Sequence, residues 1–297
     1  MEQLQKLKKR FFNWATRSIF DTPPITCDPA SNLVVLSQSY HADLTMYLIA
    51  AKSFGRFVRP KMFVVVDDGL TPEDQALLRR HLGQVRFIRT AEVDVGRCPR
   101  RGCWERLISI ARLSQQHYVI QLDSDTVTVD RPDEVLDCVA RNRSFTLGTT
   151  QGSQVVSVAQ ASDFVKEIDD SHVQLQAEKV LARLPGADAL RYVRGCAGFA
   201  GFGRGQLAFE PLEAFSEAMA AAIGPQAWSS WGSEQVASNF MVANTPDPMI
   251  LPLDKYLNYV PARNIGAARL LHFIGDDRFR GTTYVMQSRR AIALAGA

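Results

Sequence analysis

The sequence predicts an α/β protein built on a mostly parallel sheet flanked by helices. Short, continuous apolar runs at 33–36, 62–66 and 118–122 read as strands buried on both faces, because a half-exposed strand would alternate apolar and polar residues instead. Segments of helical length and periodicity separate these runs. Repeated alternation of the two element types favours parallel pairing, since each helix returns the chain to start the next strand in the same direction.

The elements follow in chain order. Residues 1–20 form a short basic amphipathic helix, with Leu4, Leu7, Phe11 and Trp14 at helical spacing and Lys6, Lys8, Lys9, Arg10 and Arg17 supplying charge. Such a helix docks on the core of its own domain or lies on an anionic membrane surface; its shortness favours docking. Pro23 and Pro24 break the chain, and residues 21–297 are expected to form a single domain, with no convincing linker after residue 30 and no internal repeat. Leu33–Leu36 is the first strand, Leu44–Phe54 a helix and Met62–Val66 the second strand. Thr71 is a plausible N-cap, followed by Pro72 at N1 and by Glu73 and Asp74 in the first turn, and Gly83 closes that helix. Val85–Ile88 is a third strand, Trp104–Ser114 a helix with Leu107, Ile110 and Ala111 on one face, and Tyr118–Leu122 a fourth strand running into Asp123. The second half is less regular: a helix over Ser162–Leu184, a glycine-rich stretch Gly195–Gly205 interleaved with Phe199 and Phe202, a helix from Pro211 to Ile223, and another capped by Ser233.

Bulk composition narrows the function. A net charge of +3 from 34 basic and 31 acidic residues argues against a dedicated nucleic-acid binder, yet leaves room for an anionic small ligand held by a local basic cluster. No run approaches the roughly 20 apolar residues of a membrane span, and no secretory signal is evident. The odd, scattered cysteines Cys27, Cys98, Cys103, Cys138 and Cys196 suit a reducing compartment, so a cytoplasmic location is expected, with weak peripheral membrane contact through residues 1–20 left open by the basic helix. Cys98 and Cys103 lack a second Cys/His pair at zinc spacing and read as loop cysteines.

The strongest chemical signal is Asp123-Ser124-Asp125 at the end of an apolar strand. In extended chain, residues i and i+2 face the same side, which would present both carboxylates where open α/β sheets bind ligands. Two carboxylates so close repel unless a cation lies between them, and a divalent ion there can bridge to substrate phosphates. The alternative is a solvated turn whose acids cap the next element.

Tyr118–Val129 resembles the metal-binding strand of A-type-fold (GT-A) glycosyltransferases, and Trp104-Glu105-Arg106-Leu107 one helix upstream is similar to the aromatic-x-Arg-Leu segment of the retaining group that includes glycogenin and the bacterial lipooligosaccharide galactosyltransferases. The resemblance covers roughly residues 33–280 through short, unevenly spaced motifs. It implies a nucleotide diphosphate sugar as donor, with a UDP-sugar expected, and Arg106 holding the nucleotide. Ser37 and Tyr40 after the first strand, Asp67 at the end of the second, and Ser124 are further candidate nucleotide contacts; for Asp68 a simple turn with Gly69 is preferred. Ser233-Glu234-Gln235 resembles the acidic-Gln pair beside the reacting sugar, making Glu234 and Gln235 the candidate catalytic residues. Leu271-His272-Phe273-Ile274-Gly275-Asp276-Asp277-Arg278 is similar to the family's His-Phe-x-Gly-x-x-Lys segment. The resemblance thus implies His272 as third metal ligand with Asp123 and Asp125, and Gly275 and Arg278 at the diphosphate. A mixed carboxylate and imidazole site suits Mn²⁺ better than Mg²⁺.

Residues 258–269 have no match in the family pattern, and two departures at matched positions stand out. Cys196-Ala197-Gly198 falls where the family has Asn-x-Gly, and Arg278 replaces Lys, which keeps the charge but changes the geometry. The implied reaction transfers a hexose to an acceptor hydroxyl of a carbohydrate, lipid-linked glycan or protein, with retention and through an oxocarbenium-like state. Two rivals remain open: an inverting enzyme of the same fold with Glu234 as general base, and a non-catalytic relative that binds a nucleotide or a partner. A nucleotidyltransferase is disfavoured, because Ser37-Gln38-Ser39-Tyr40 is not the Gly-rich, basic loop such enzymes carry after the first strand.

Overall fold

Valine, leucine and phenylalanine run continuously through the strands, and Val34, Val35, Leu36, Val64, Val65 and Val66 are fully buried, as strands covered on both faces must be. In the computed structural model, which describes residues 2–296, seven strands form one sheet in the order Met249–Leu251, Phe145–Leu147, Cys196–Phe202, Tyr118–Leu122, Leu33–Ser39, Met62–Asp67 and Val85–Arg89. Leu33–Ser39 pairs parallel with Met62–Asp67, which pairs parallel with Val85–Arg89. Met249–Leu251 is parallel to Phe145–Leu147, and the pairing of Phe145–Leu147 with Cys196–Phe202 is antiparallel. The chain divides into two compact units, each assembled from separate stretches.

The first unit comprises Met1–Arg89, Ile120–Leu136 and Asp254–Ala297. Its helix Pro72–Leu82 begins as predicted: Thr71 Oγ1 accepts from the Asp74 amide at 3.2 Å, and Asp74 returns the bond by accepting from the Thr71 amide at 2.9 Å. The helix Glu2–Ala15 docks through a residue outside its apolar stripe. Phe12 is fully buried and stacks on Tyr284 at 4.2 Å, which stacks on Phe273 at 4.3 Å. Leu4, Leu7, Phe11 and Trp14, the stripe itself, are exposed at 56–62%. A second, three-stranded sheet belongs to this unit: Tyr256–Asn258 runs parallel to Leu270–His272, which pairs antiparallel with Thr126–Thr128.

The second unit comprises Thr90–Val119 and Asp137–Leu253. Its glycine-rich stretch is the strand Cys196–Phe202, and the glycines there have a steric cause: a Cβ on Gly201 would come within 2.2 Å of the Phe145 ring on the paired strand. The single helix expected over Ser162–Leu184 is two helices, Val158–Val165 and Val173–Val180, with a short 3-10 turn after the second. Short polar side chains between them offer competing hydrogen bonds. Asp170 accepts from the His172 amide at 2.8 Å, and His172 Nδ1 accepts from the Gln174 amide at 3.2 Å, which restarts the helix. Ser233 is also not the cap of its helix. Gly232, at φ +101°, holds that position, and the Ser233 hydroxyl instead accepts from Trp104 Nε1 at 2.9 Å.

Candidate functional site

The strand Tyr118–Leu122 ends at Asp123, and the chain then turns rather than continuing extended. Thr126 closes that turn, its amide and hydroxyl both donating to the Asp123 carbonyl, at 3.2 and 2.8 Å. Asp123 and Asp125 are therefore presented together by a turn between two strands, not by the side alternation of one strand.

Strand pairing then delivers the third candidate ligand. Thr126 lies opposite His272 in the antiparallel pair, and the Phe273 amide donates to the Asp125 carbonyl at 2.9 Å. His272 Nε2 stands 3.2 Å from Asp125 Oδ1 and 3.9 Å from Asp123 Oδ2. One donor atom each from Asp123, Asp125 and His272 lies within 4.8 Å of the others. Asn258, opposite His272 on the parallel strand, takes the other ring nitrogen, with Nδ1 2.9 Å from Asn258 Oδ1. With Nδ1 engaged by Asn258, Nε2 is the ring nitrogen that faces the carboxylates.

Arg278 completes the group. Its Nη2 pairs with Asp125 Oδ2, and its Nε donates to the Phe273 carbonyl at 2.9 Å. Asp125 is 6% exposed and His272 4%. Burial opposes ionisation of Asp125, but the His272 ring and the Arg278 guanidinium outweigh it and hold the carboxyl down at about 2. Burial likewise disfavours charge on Arg278, and Asp125 together with Tyr284 and Asp43 more than restores it. Two carboxylates, an imidazole with its distal nitrogen already bonded, and a fixed cation make a donor set that fits a divalent ion next to a phosphate.

The other predicted residues fall in several places. Ser37 is fully buried, and its hydroxyl donates to the Leu122 carbonyl at 2.6 Å, tying the first strand to the end of the carboxylate strand. Tyr40 is 44% exposed, with Lys9 Nζ 5.4 Å from its ring centre. Ser124 is buried, and Gly275 takes φ +56°, a left-handed turn that favours glycine. Asp67 is occupied as a turn cap: one oxygen accepts from the Gly69 and Leu70 amides, the other from Gln75. Asp68 accepts from Gln38 Nε2 at 3.0 Å.

In the second unit, Arg106 and Glu234 meet. The guanidinium, 6% exposed, lies 3.2 Å from the carboxylate, which is 3% exposed. Gln235 Oε1 accepts from the Ala197 amide at 3.3 Å, so the Gln235 side chain touches the Cys196-Ala197-Gly198 segment that departs from the family pattern. Gln235 Nε2 donates to Gln174 at 3.2 Å. The residue that sequence reasoning missed is Asn258: its role depends on a three-residue strand pairing that no local pattern announces.

No protein-family model matches the sequence, and the comparison with curated proteins finds no match. Among solved structures, the chain is similar to the bifunctional glycosyltransferase WbbM in its apo form, at a TM-score of 0.55 and 16% identity, over 90% of this chain and 51% of that one. The chain thus spans about half the length of WbbM. It is also similar to an active-site mutant of LgtC, at a TM-score of 0.51 and 12% identity, over 87% of this chain and 95% of that one. At these identities the likeness shows the fold, and it is the GT-A fold of the sequence expectation.

Proposed function

We propose that this GT-A-fold chain is a metal-dependent glycosyltransferase, moving a hexose from a nucleotide diphosphate sugar, with UDP as the nucleotide, to an acceptor hydroxyl with retention. The observation that carries the reading is the convergence of Asp123, Asp125, His272 and Arg278, residues up to 155 positions apart. Asp123, Asp125 and His272 would hold Mn²⁺, or Mg²⁺ less readily. Such an ion supplies Lewis-acid neutralisation of the departing diphosphate. Asn258 fixes the His272 tautomer, and Arg278 adds a second positive charge for the same diphosphate.

Arg106 belongs to the donor site in this reading, and Glu234 and Gln235 position the acceptor or flank the anomeric carbon. Both oxygens of Glu234 lie within 3.3 Å of Arg106 Nη2, which engages the lone pairs a general base would need. That contact favours retention over inversion. The fold likeness to two structures described as glycosyltransferase and as an active-site mutant supports an enzyme rather than a non-catalytic binder. The test is calorimetric titration of UDP with and without Mn²⁺, followed by an NMR screen of nucleotide sugars for metal-dependent hydrolysis or transfer. Mn²⁺-dependent UDP binding and a product with the donor's anomeric configuration are expected. UDP binding that ignores Mn²⁺, or no binding, sinks the reading.

The same reading includes weak contact of residues 1–20 with anionic lipid. It is supported by the exposed stripe of Leu4, Leu7, Phe11 and Trp14 beside basic residues. No helix among the described residues is long and apolar enough to cross a membrane.

A further inference from the structure

The first helix turns an inner face toward the protein that its apolar stripe does not announce. Lys9, Phe12 and Thr16 follow one another at i, i+3 and i+7, and Phe12 and Thr16 are fully buried. The Phe12 ring stacks on Tyr284 at 4.2 Å and lies 5.7 Å from the ring of Phe279. Phe279 directly follows Arg278, and Tyr284 stacks on Phe273, whose carbonyl accepts from Arg278 Nε. The helix is thus seated on the segment that carries the candidate diphosphate cation.

This seat brings Lys9 to a carboxylate of the same unit. Lys9 Nζ pairs with Asp43 Oδ1 at 2.5 Å, the two side chains being 22% and 16% exposed. Asp43 holds the N-cap position of the helix Leu44–Val58, yet its side chain makes no cap bond there and is directed to Lys9 instead. Asp43 acts on Arg278 as well: against burial, it joins Asp125 and Tyr284 in keeping the guanidinium charged. The Lys9 ammonium also lies 5.4 Å from the ring centre of Tyr40, a candidate nucleotide contact.

A carboxylate within electrostatic reach of Arg278 is a hindrance to an anionic donor. Left unpaired, it would draw on the guanidinium in competition with the diphosphate, and its field would repel the diphosphate directly. The same field would favour a divalent cation. Lys9 offsets this charge. A partly exposed ion pair adds little to folding stability, so docking of the helix is a weak reason for it. We propose that Lys9 is a positioning residue for the donor: it neutralises Asp43, so that Arg278 stays available to the diphosphate. The proposal rests on the transferase reading and adds to it a residue from outside the resembling segments.

The test measures two affinities on the full chain at low salt: Mn²⁺ alone, by electron paramagnetic resonance, and UDP in saturating Mn²⁺, by calorimetry. Lys9→Met keeps the stem of the side chain and removes its charge. UDP affinity should fall roughly three- to tenfold, while Mn²⁺ affinity stays level or rises, because the freed Asp43 charge repels an anion and attracts a cation. A helix that had merely loosened would lower both. The double variant Lys9→Met/Asp43→Asn removes the charge at issue and should bring UDP affinity back to within about twofold of the parent chain. Unchanged UDP affinity in Lys9→Met, a parallel loss of both affinities, or a double variant that does not recover would overturn the proposal while leaving the transferase reading in place. A parent chain whose UDP binding ignores Mn²⁺, or that binds no UDP, fails the transferase reading and takes this proposal with it.

Discussion

His272 has one ring nitrogen committed to Asn258 and the other directed at two carboxylates, and this division of labour is open to test. Asn258→Ala frees the ring to adopt either tautomer. Mn²⁺ affinity should fall by roughly 10–100-fold, the usual effect of removing a partner that orients a metal ligand. Asp125→Ala should abolish measurable Mn²⁺-dependent UDP binding in a chain that still folds, checked by calorimetry beside circular dichroism; unchanged Mn²⁺ affinity would remove the metal assignment. Arg278 separates charge from geometry: Arg278→Lys should retain part of the UDP affinity and Arg278→Ala should lose more, because lysine keeps the charge without the fork. At this scale the Asp123–Asp125 pair was legible as a local pattern, and the meeting of His272 and Arg278 with it was expected from the family resemblance; the structure brings the four side chains together. The sequence was not legible for Asn258, an ordinary amide that matters only through the strand it faces. It was misleading on how the two aspartates come together, because a turn and a strand alternation both bring i and i+2 near one another.

The helix Pro72–Leu82 could be read end to end, since its capping box, proline and acidic first turn are local signals. Thr71→Ala should cost about 1 kcal/mol in urea unfolding through loss of that cap. The same helix carries a liability that no local pattern shows. His81 is 2% exposed with both ring nitrogens unpaired, and burial, followed by repulsion from Lys52 and Arg80 and against attraction to Asp21, pulls it down to about 4. Its folded form prefers to be neutral, so below the ordinary value of 6.5 the unfolded chain binds the extra proton more readily. Stability should therefore fall as pH drops from about 6.5 toward 4, and His81→Leu should flatten that fall. Urea midpoints at pH 7 and pH 4.5 for the two chains check it; parallel pH dependence would show that His81 is not the linked group. Where the sequence misled, short elements were responsible. The break within Ser162–Leu184 rests on single side-chain bonds at Asp170 and His172, and the three-stranded sheet joins segments of three residues each, too short for any periodicity.

For the whole molecule, the fold class followed from strand–helix alternation, whereas the division into two units did not, because each unit is pieced from stretches far apart in the chain. The apolar stripe of the first helix was visible in sequence, but the face on which it docks was not, since Phe12 alone sits in the aromatic stack. Replacing Leu7 and Trp14 together by serine leaves Phe12 in place, and should reduce sedimentation with phosphatidylserine liposomes several-fold at low salt; equal partitioning of the two chains would remove the membrane contact. The three-stranded sheet, finally, sets a timetable for synthesis. At roughly 5–20 residues per second, a ribosome would release Asp125 some 7–30 seconds before His272. During that interval Thr126–Thr128 has no antiparallel neighbour, and the two carboxylates have neither their arginine counter-ion nor their imidazole. The strand edge is then open to any passing segment. A nascent chain arrested before residue 270 should accordingly be more protease-sensitive around Thr126 than the released protein, and the three candidate ligands Asp123, Asp125 and His272 can meet only once translation has passed His272.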